Sequence, residues 1–415
     1  MSNFDIAVIG AGIIGLTAAL RLQTEGMRVC LIDANPPDSG CSSGNAGYLS
    51  IGNCFPTAAP GLPAQLPRLL FDRDGPLVIR LNHLFGLIPW GLRLIKASTP
   101  QQFDIGTHAL AQLTSRAVRS YHPLLKRANA SDLLLERGGL HVYRSAEALR
   151  KRAAAKQTYD QHGISMQTLS AAEAHEMEPA ISREIAGAVY FPQSAHCVSP
   201  LDLGRRLAAH IAANGGQMVR DKVVALRPAA QGWTVETTRR LMLAPRVLVA
   251  AGRWSDELLT PLGYCVPLEA ERGYHLSLLD PGVTLHRTVV AAEDHFAMTP
   301  MVDGLRLAGT VEFARRNAPM DPGRADMLFP PAEKLVPGLK RSPASRWMGH
   351  RPSLPDSLPA IGRCERHENL FYSFGHHHYG LTLAAVSADL LADVVTERPP
   401  SISLIPFSLQ RFSNT

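Results

Sequence analysis

Residues 4–33 leave few choices of fold. Phe4–Ile9 is short and almost wholly apolar, and reads as a strand covered on both faces, as in a parallel sheet. Gly10-Ala11-Gly12-Ile13-Ile14-Gly15 follows at once, an uninterrupted G-x-G-x-x-G. Ile13–Gln23 then shows helical apolar spacing, and Gly26 is placed to stop the helix. Arg28–Ile32 is a second apolar strand, closed by Asp33. Each part has a physical task. Gly10 permits a tight turn, Gly12 keeps no side chain between a pyrophosphate and the backbone, and Gly15 lets helix and strand pack closely. The helix N-terminus, with Ile13 and Ile14 in its first turn, offers free N–H groups and partial positive charge. Asp33, followed by Ala34, can accept hydrogen bonds from ribose hydroxyls and disfavours a 2′-phosphate. A dinucleotide site on a Rossmann-like α/β unit is expected.

Three later segments favour FAD over NAD. Ser42-Ser43-Gly44-Asn45-Ala46-Gly47-Tyr48 brings small and hydroxyl residues just beyond Asp33, where they can approach a pyrophosphate and a flavin ring; taken alone, it also reads as a polar loop. Val247–Val249 is an apolar strand running into Ala250-Ala251-Gly252 and a helix start, after a hairpin whose first strand includes Val223 and Val224. Asn369–Phe374 is a strand leading into Gly375-His376-His377-His378-Tyr379-Gly380-Leu381-Thr382 and a helix over 383–395. The positive end of that last helix would stabilise negative charge on a reduced flavin.

Composition removes several classes. With 46% hydrophobic residues in 415, the chain can bury a large core. Its net charge of +6 comes without any Lys/Arg run of the nucleic-acid-binding kind. The six cysteines, Cys30, Cys41, Cys54, Cys197, Cys265 and Cys364, are scattered without a Cys-x-x-Cys, so neither a disulfide framework nor a metal site is expected, and a reducing compartment fits. Ile6–Leu20 lacks the basic stretch of a signal peptide, and no run of eighteen or more uncharged apolar residues reads as a membrane span. A cytoplasmic location is expected, with attachment to the inner face of the plasma membrane left open.

With these residues in view, the chain resembles the family of D-amino-acid oxidases and dehydrogenases (the DAO family of FAD-dependent oxidoreductases), which also holds glycine and sarcosine oxidases. Within it the likeness is to the small subunit of bacterial D-amino-acid dehydrogenase. The segments that carry it are Gly10–Gly15, Ser43–Gly47, Ala58-Ala59-Pro60-Gly61, the run 303–310 (DGLRLAGT) and the run 349–359 (GHRPSLPDSLP), the last being the most specific. The resemblance implies non-covalent FAD, carboxylate binding by Arg351, and hydride transfer from Cα–H to flavin N5. The loop 375–380 departs from the family pattern: where small residues are usual, three histidines and a tyrosine stand here.

The cofactor segments lie far apart, so their domain is discontinuous: residues 1–50, 196–262 and 345–398. Residues 51–195 and 263–344 form the substrate domain, an α+β unit on a mixed or antiparallel sheet, helical to about residue 130. Leu140–Tyr143, Ala188–Phe191, Tyr274–Leu279 and Leu305–Thr310 are strand candidates. Residues 399–415 read as a tail. Pro60–Ser98 holds Leu69-Leu70-Phe71, Leu77-Val78-Ile79 and Leu84–Ile95, with Arg68, Arg80, Arg93 and Lys96 interspersed. It reads either as a membrane-surface or partner-docking element, or as amphipathic helices packed on the core.

An amino-acid substrate needs a fixed cation for its carboxylate. Arg351 is the candidate, against the alternative of a structural bridge to Asp356. Tyr274 is a second hydrogen-bond donor to that carboxylate, a pocket lid, or a strand residue half-packed in the sheet; Tyr48 is expected near the flavin face; and Arg306, a substrate contact or a solvent-facing strand residue, is expected to face solvent. His376 to His378 are neighbours pointing different ways, so a metal site is not expected; a hydrogen bond from His378 to flavin or substrate is. The expected reaction is oxidative deamination of a small D-amino acid, with electrons passed to a quinone or partner protein. Alternatives are a D-proline or hydroxyproline dehydrogenase, a glycine- or sarcosine-type oxidase using O₂, and a non-catalytic FAD subunit.

Overall fold

The computed structural model describes residues 3–37, 39–62, 64, 75 and 77–413. A six-stranded sheet is built outward from the first strand, Ile6–Ile9, in the order 217–220, 29–33, 6–9, 247–249, 370–374, 360–363. All neighbours are parallel except the last pair. Alternation along the strands supplies both faces, because successive side chains point opposite ways. Ile6, Val8, Leu31, Leu248 and Phe371 pack into one apolar cluster with the helices Ile13–Thr24, Pro200–Ala213 and Gly380–Val395. Ala7, Ile9, Ile32, Val247 and Val249 pack on the other side into a cluster with Trp233 and Val235 of a three-stranded antiparallel meander, 223–244. The helix Gly380–Val395 is buried along most of its length, although with the turn before it this segment, His377–Val395, is long and apolar enough to cross a membrane.

A second, nine-stranded sheet holds the predicted strands Gly139–Tyr143, Gly187–Phe191, Glu269–Leu278 and Gly304–Phe313. It is mixed, with mostly antiparallel pairs. Three expectations need correction. The strand Ala344–Ser353, assigned from sequence to the cofactor domain, pairs along its whole length with Glu269–Leu278 and so belongs to the second sheet. Its neighbours are set by long-range pairing, which its own sequence does not reveal. The helices Pro100–Thr114 and Ala117–Arg127, assigned to the substrate domain, pack on the cofactor side: Tyr121 donates to the Leu381 carbonyl at 2.7 Å and shares the first apolar cluster. The expected tail is docked, because Phe407, Leu409 and Phe412 are buried and the Leu409 N–H donates to the Tyr372 hydroxyl. Leu69–Phe71 and Arg68 lie outside the described residues.

Candidate functional site

The carboxyl ends of three parallel strands, Ile6–Ile9, Val247–Val249 and Leu370–Phe374, open on one cavity of about 460 Å³. That is where ligands sit in open parallel sheets. Each strand leads through a glycine turn into a helix start, and Gly12, Gly252 and Gly380 all line the cavity. Two α-helix N-termini therefore present their free N–H groups to the same space.

The glycines divide their work. Gly10 has φ +108°, and a Cβ there would stand 2.4 Å from the Ala250 carbonyl oxygen. A Cβ on Gly15 would stand 1.9 Å from the Gly10 carbonyl oxygen, so Gly15 serves helix–strand packing and does not line this cavity. A Cβ on Gly12 would meet only Ser42 Oγ, at 3.4 Å, so Gly12 is bare for the sake of the cavity rather than the fold. Asp33 accepts from the Ala11 N–H at 2.8 Å and so clamps the glycine turn to the second strand. Its Oδ1 accepts from the Asn35 N–H, and each oxygen keeps a second lone pair for a sugar hydroxyl. Ser42 Oγ accepts from the Ile13 N–H at 3.0 Å, at the helix N-terminus.

Of the other expected cofactor contacts, Ile13, Ile14, Ala34, Asn45 and Ala46 line the cavity, as do Val223, Val224, Ala250 and Ala251. So do Gly375, His376 and Leu381. Ser43, Gly47 and Thr382 do not. Ser43 Oγ donates to the Gly40 carbonyl, Thr382 Oγ1 donates to the Tyr48 carbonyl, and a Cβ on Gly47 would strike the Cys197 carbonyl oxygen. They shape the loop from behind. Tyr48 also turns away: its hydroxyl lies 3.1 Å from His141 Nε2 and 3.4 Å from Ser194 Oγ, in the second sheet's contact with the strand Tyr48–Leu49.

The second sheet roofs the cavity. Arg351 lines it, with Nη2 donating to the Gly309 carbonyl at 3.1 Å. The bridge to Asp356 is not made, since Arg411 holds that carboxylate at 2.6 Å. Among the described residues no carboxylate lies within 4 Å of the Arg351 guanidinium, a cation left free for an anion. Tyr274 lines the cavity too, but its hydroxyl donates to Glu312 Oε2 at 2.6 Å. Glu312 is itself buried between Arg80, at 2.6 Å, and the fully buried Arg272, at 2.8 Å. That corrects Tyr274 as a free donor to a substrate carboxylate; the pairing of its strand with Gly304–Phe313 shifts register between Gly273 and Tyr274.

All three histidines border the cavity, with different partners. His376 Nε2 lies 3.0 Å from Ser387 Oγ and His377 Nε2 lies 2.8 Å from the Leu354 carbonyl, while the His378 ring packs against Tyr379 with centroids 3.9 Å apart. No group of three metal-ligating side chains occurs among the described residues. Burial, helped by Arg351, pushes the His378 imidazole down to about 3, so it is neutral near pH 7. Burial and nearby arginines likewise hold His350 at about 4 and His275 at about 3.

Sequence reasoning missed part of the roof. Arg306, expected in solvent, donates to the Asn45 and Ser43 carbonyls at 2.7 and 3.3 Å. Trp347 stacks on His275 at 5.1 Å, and Gly44 lies against its ring, where a Cβ would be 2.2 Å away. Neither carried a local signal: alternation puts Arg306 on the face opposite Leu305 and Leu307, which reads as the solvent side, and the contacts of Trp347 come from distant segments.

The model of the FAD dependent oxidoreductase (DAO) family matches residues 5–394. The chain belongs to that family. It is 33% identical to a D-amino-acid oxidase of Bradyrhizobium diazoefficiens over 423 residues, covering 98% of each chain. It is 32% identical to D-amino acid dehydrogenase 2 of Ralstonia nicotianae, over 98% of this chain and all of that one. The crystal structure of glycine oxidase from Geobacillus kaustophilus superposes with a TM-score of 0.76, at 25% identity and 98% coverage of both. FAD is the cofactor of this family, and the residues present fit it: a glycine cradle that a Cβ would fill, the N-terminus of the helix Ile13–Thr24 for the pyrophosphate, and Asp33 at the sugar's place. The protein is an FAD-dependent amino-acid oxidoreductase.

Proposed function

We propose that the protein oxidises a small D-amino acid at Cα, turning Cα–N into C=N, and that water hydrolyses the imino acid to a keto acid and ammonia. The two electrons pass to a quinone or a partner protein. The observation that carries this reading is the Arg351 guanidinium, aimed into the cavity without a carboxylate partner among the described residues. A planar guanidinium binds a carboxylate through two parallel hydrogen bonds and so fixes its orientation as well as its place. The relatives named D-amino-acid oxidase and D-amino acid dehydrogenase support the same substrate class.

FAD, when bound, supplies the two-electron acceptor. The chain supplies position and electrostatics. Arg351 anchors the carboxylate, and the aromatic walls of Trp347 and Tyr274 keep water from the reacting carbon. His378, at about 3, is no base for an ammonium group: accepting its proton near pH 7 would cost about 1.4 kcal/mol for every unit separating the two groups. It acts as a neutral hydrogen-bond partner. The positive guanidinium beside the site favours the neutral amine, whose lone pair assists loss of the Cα hydrogen.

Anaerobic mixing of the purified flavoprotein with paired D- and L-amino acids, D-proline, glycine and sarcosine tests this. Bleaching of the flavin by small D-amino acids is the expected result. Bleaching by glycine or sarcosine with rapid hydrogen peroxide formation in air would move the assignment to the second reading, an oxidase like the Geobacillus kaustophilus enzyme. No bleaching by any of them would leave a non-catalytic flavin subunit.

A further inference from the structure

The helix Leu84–Ala97 is pinned by one face and, among the described residues, uncovered on the other. Leu87, Trp90 and Leu94 pack on Leu77, Ile79, Val311 and Phe313. Trp90 Nε1 also donates to the Ser353 carbonyl at 3.2 Å, two residues beyond Arg351 on the same strand. Opposite them stand Phe85, Ile88, Leu92 and Ile95, at i, i+3, i+7 and i+10, so they share one face. They are exposed by 83, 48, 63 and 38%. Scattered surface leucines need no explanation, but a continuous stripe of four large apolar side chains on a fixed helix does.

We infer that this face docks on the surface of a lipid bilayer carrying anionic headgroups. Charge points the same way as the apolar stripe. From Gly75 to Phe103 the sequence has no Asp or Glu, while Arg93 and Lys96 sit at the end of the helix. A ridge with an apolar crest and basic flanks suits the boundary between headgroups and acyl chains, where crest residues enter the apolar layer and Lys or Arg stays with phosphates. The geometry also limits depth. The helix has 14 residues, about 21 Å, too short to cross a bilayer. Pro89 within it removes one backbone donor, so a carbonyl on the preceding turn needs water, which the interface supplies and the bilayer interior does not. The face is convex, whereas protein partners usually meet a helix in a groove. This inference stands apart from the reaction proposed above, because docking is read without substrate. Its consequence for that reaction is that Trp90 would tie the membrane-facing helix to the strand bearing Arg351.

The test is co-sedimentation of the FAD-loaded protein with phosphatidylcholine vesicles, with and without about 30% phosphatidylglycerol. Binding to the anionic vesicles, at least tenfold weaker in a Phe85→Ser/Leu92→Ser variant and reduced by salt, is expected. Both side chains are exposed, so dye-linked turnover of the variant should match the parent. A single Phe85→Trp variant should show blue-shifted emission on adding the same vesicles. Failure of the parent to bind anionic vesicles, or equal binding by the double variant, would overturn the inference. So would a concentration-dependent dimer that the double variant abolishes, which would make the stripe an interface between copies of this chain.

Discussion

The guanidinium of Arg351 lies over the backbone of Gly273, and a Cβ at position 273 would stand 2.3 Å from Arg351 Cζ. The two residues are on paired strands, where Gly273 faces Gly349 and Arg351 faces Glu271. The missing side chain at 273 is the floor on which the guanidinium rests. Among the described residues its hydrogen bond to the Gly309 carbonyl fixes a single nitrogen and leaves the others for an anion.

Gly273→Ala should therefore act on the substrate rather than the fold. The atom it would strike is the end of a flexible side chain, so the strand need not move, but the guanidinium must. Losing one charge-assisted hydrogen bond of about 1.5–3 kcal/mol should cut kcat/KM by roughly ten- to a hundredfold. Arg351→Ala should do more damage and still retain FAD. Steady-state kinetics beside the 450 nm flavin absorbance (roughly, the cofactor's own band) decide it: unchanged kinetics in both variants would remove Arg351 from the site.

Tyr274 and Glu312 make opposite predictions. Because the Tyr274 hydroxyl is already committed to Glu312, Tyr274→Phe should change KM by less than about tenfold, the size of one neutral hydrogen bond. Burial and the Glu312 carboxylate push this phenol up to about 12, so it stays a protonated donor across the working range. Glu312→Leu leaves Arg272 as an unpaired cation with no exposed surface, a loss of about 3–5 kcal/mol of stability. Chemical denaturation separates the two. A hundredfold rise in KM for Tyr274→Phe would mean that the hydroxyl leaves Glu312 for the substrate.

How much of this was legible beforehand follows the reach of each contact. The glycine turn, its helix and Asp33 lie within thirty residues, and local spacing sufficed to place them around one cavity. Four of the second sheet's nine strands were visible as apolar runs, since alternation is also local. What joins distant segments was not: Trp347 reaches His275 and Gly44, Arg306 reaches Asn45, and Glu312 gathers Arg80, Arg272 and Tyr274. The final residues looked like a tail because Phe407, Leu409 and Phe412 are separated by turns without helical or strand period, yet all three are buried.

Gly12 and Gly15 should fail in different ways. Gly12→Val adds bulk where only Ser42 Oγ is near, so the chain should fold, with far-UV circular dichroism like the parent, yet purify colourless. Gly15→Val drives a side chain into the Gly10 carbonyl and should lower the melting temperature or prevent folding outright. A yellow Gly12→Val protein with parental flavin content would place the pyrophosphate elsewhere.

Acid should unfold the protein through its buried histidines. His141, His376 and His378 are pushed from 6.5 down to about 3 by burial, and His196 to about 4. The unfolded chain would protonate these rings near pH 6.5, while the folded chain does so only near pH 3 to 4. Between those limits the unfolded state binds more protons, so stability is full above about pH 6.5 and is lost as the pH falls. Each group contributes up to about 1.4 kcal/mol per pH unit, and several together rival the ~5–15 kcal/mol that holds a typical domain. The melting temperature should drop steeply between pH 6 and pH 4 (roughly, the window in which only the unfolded chain is protonated). His141→Gln, which removes one such ring while keeping a hydrogen-bonding partner for Tyr48, should make the decline shallower. A melting temperature that stays level across that window would show that these rings are not neutral in the folded state.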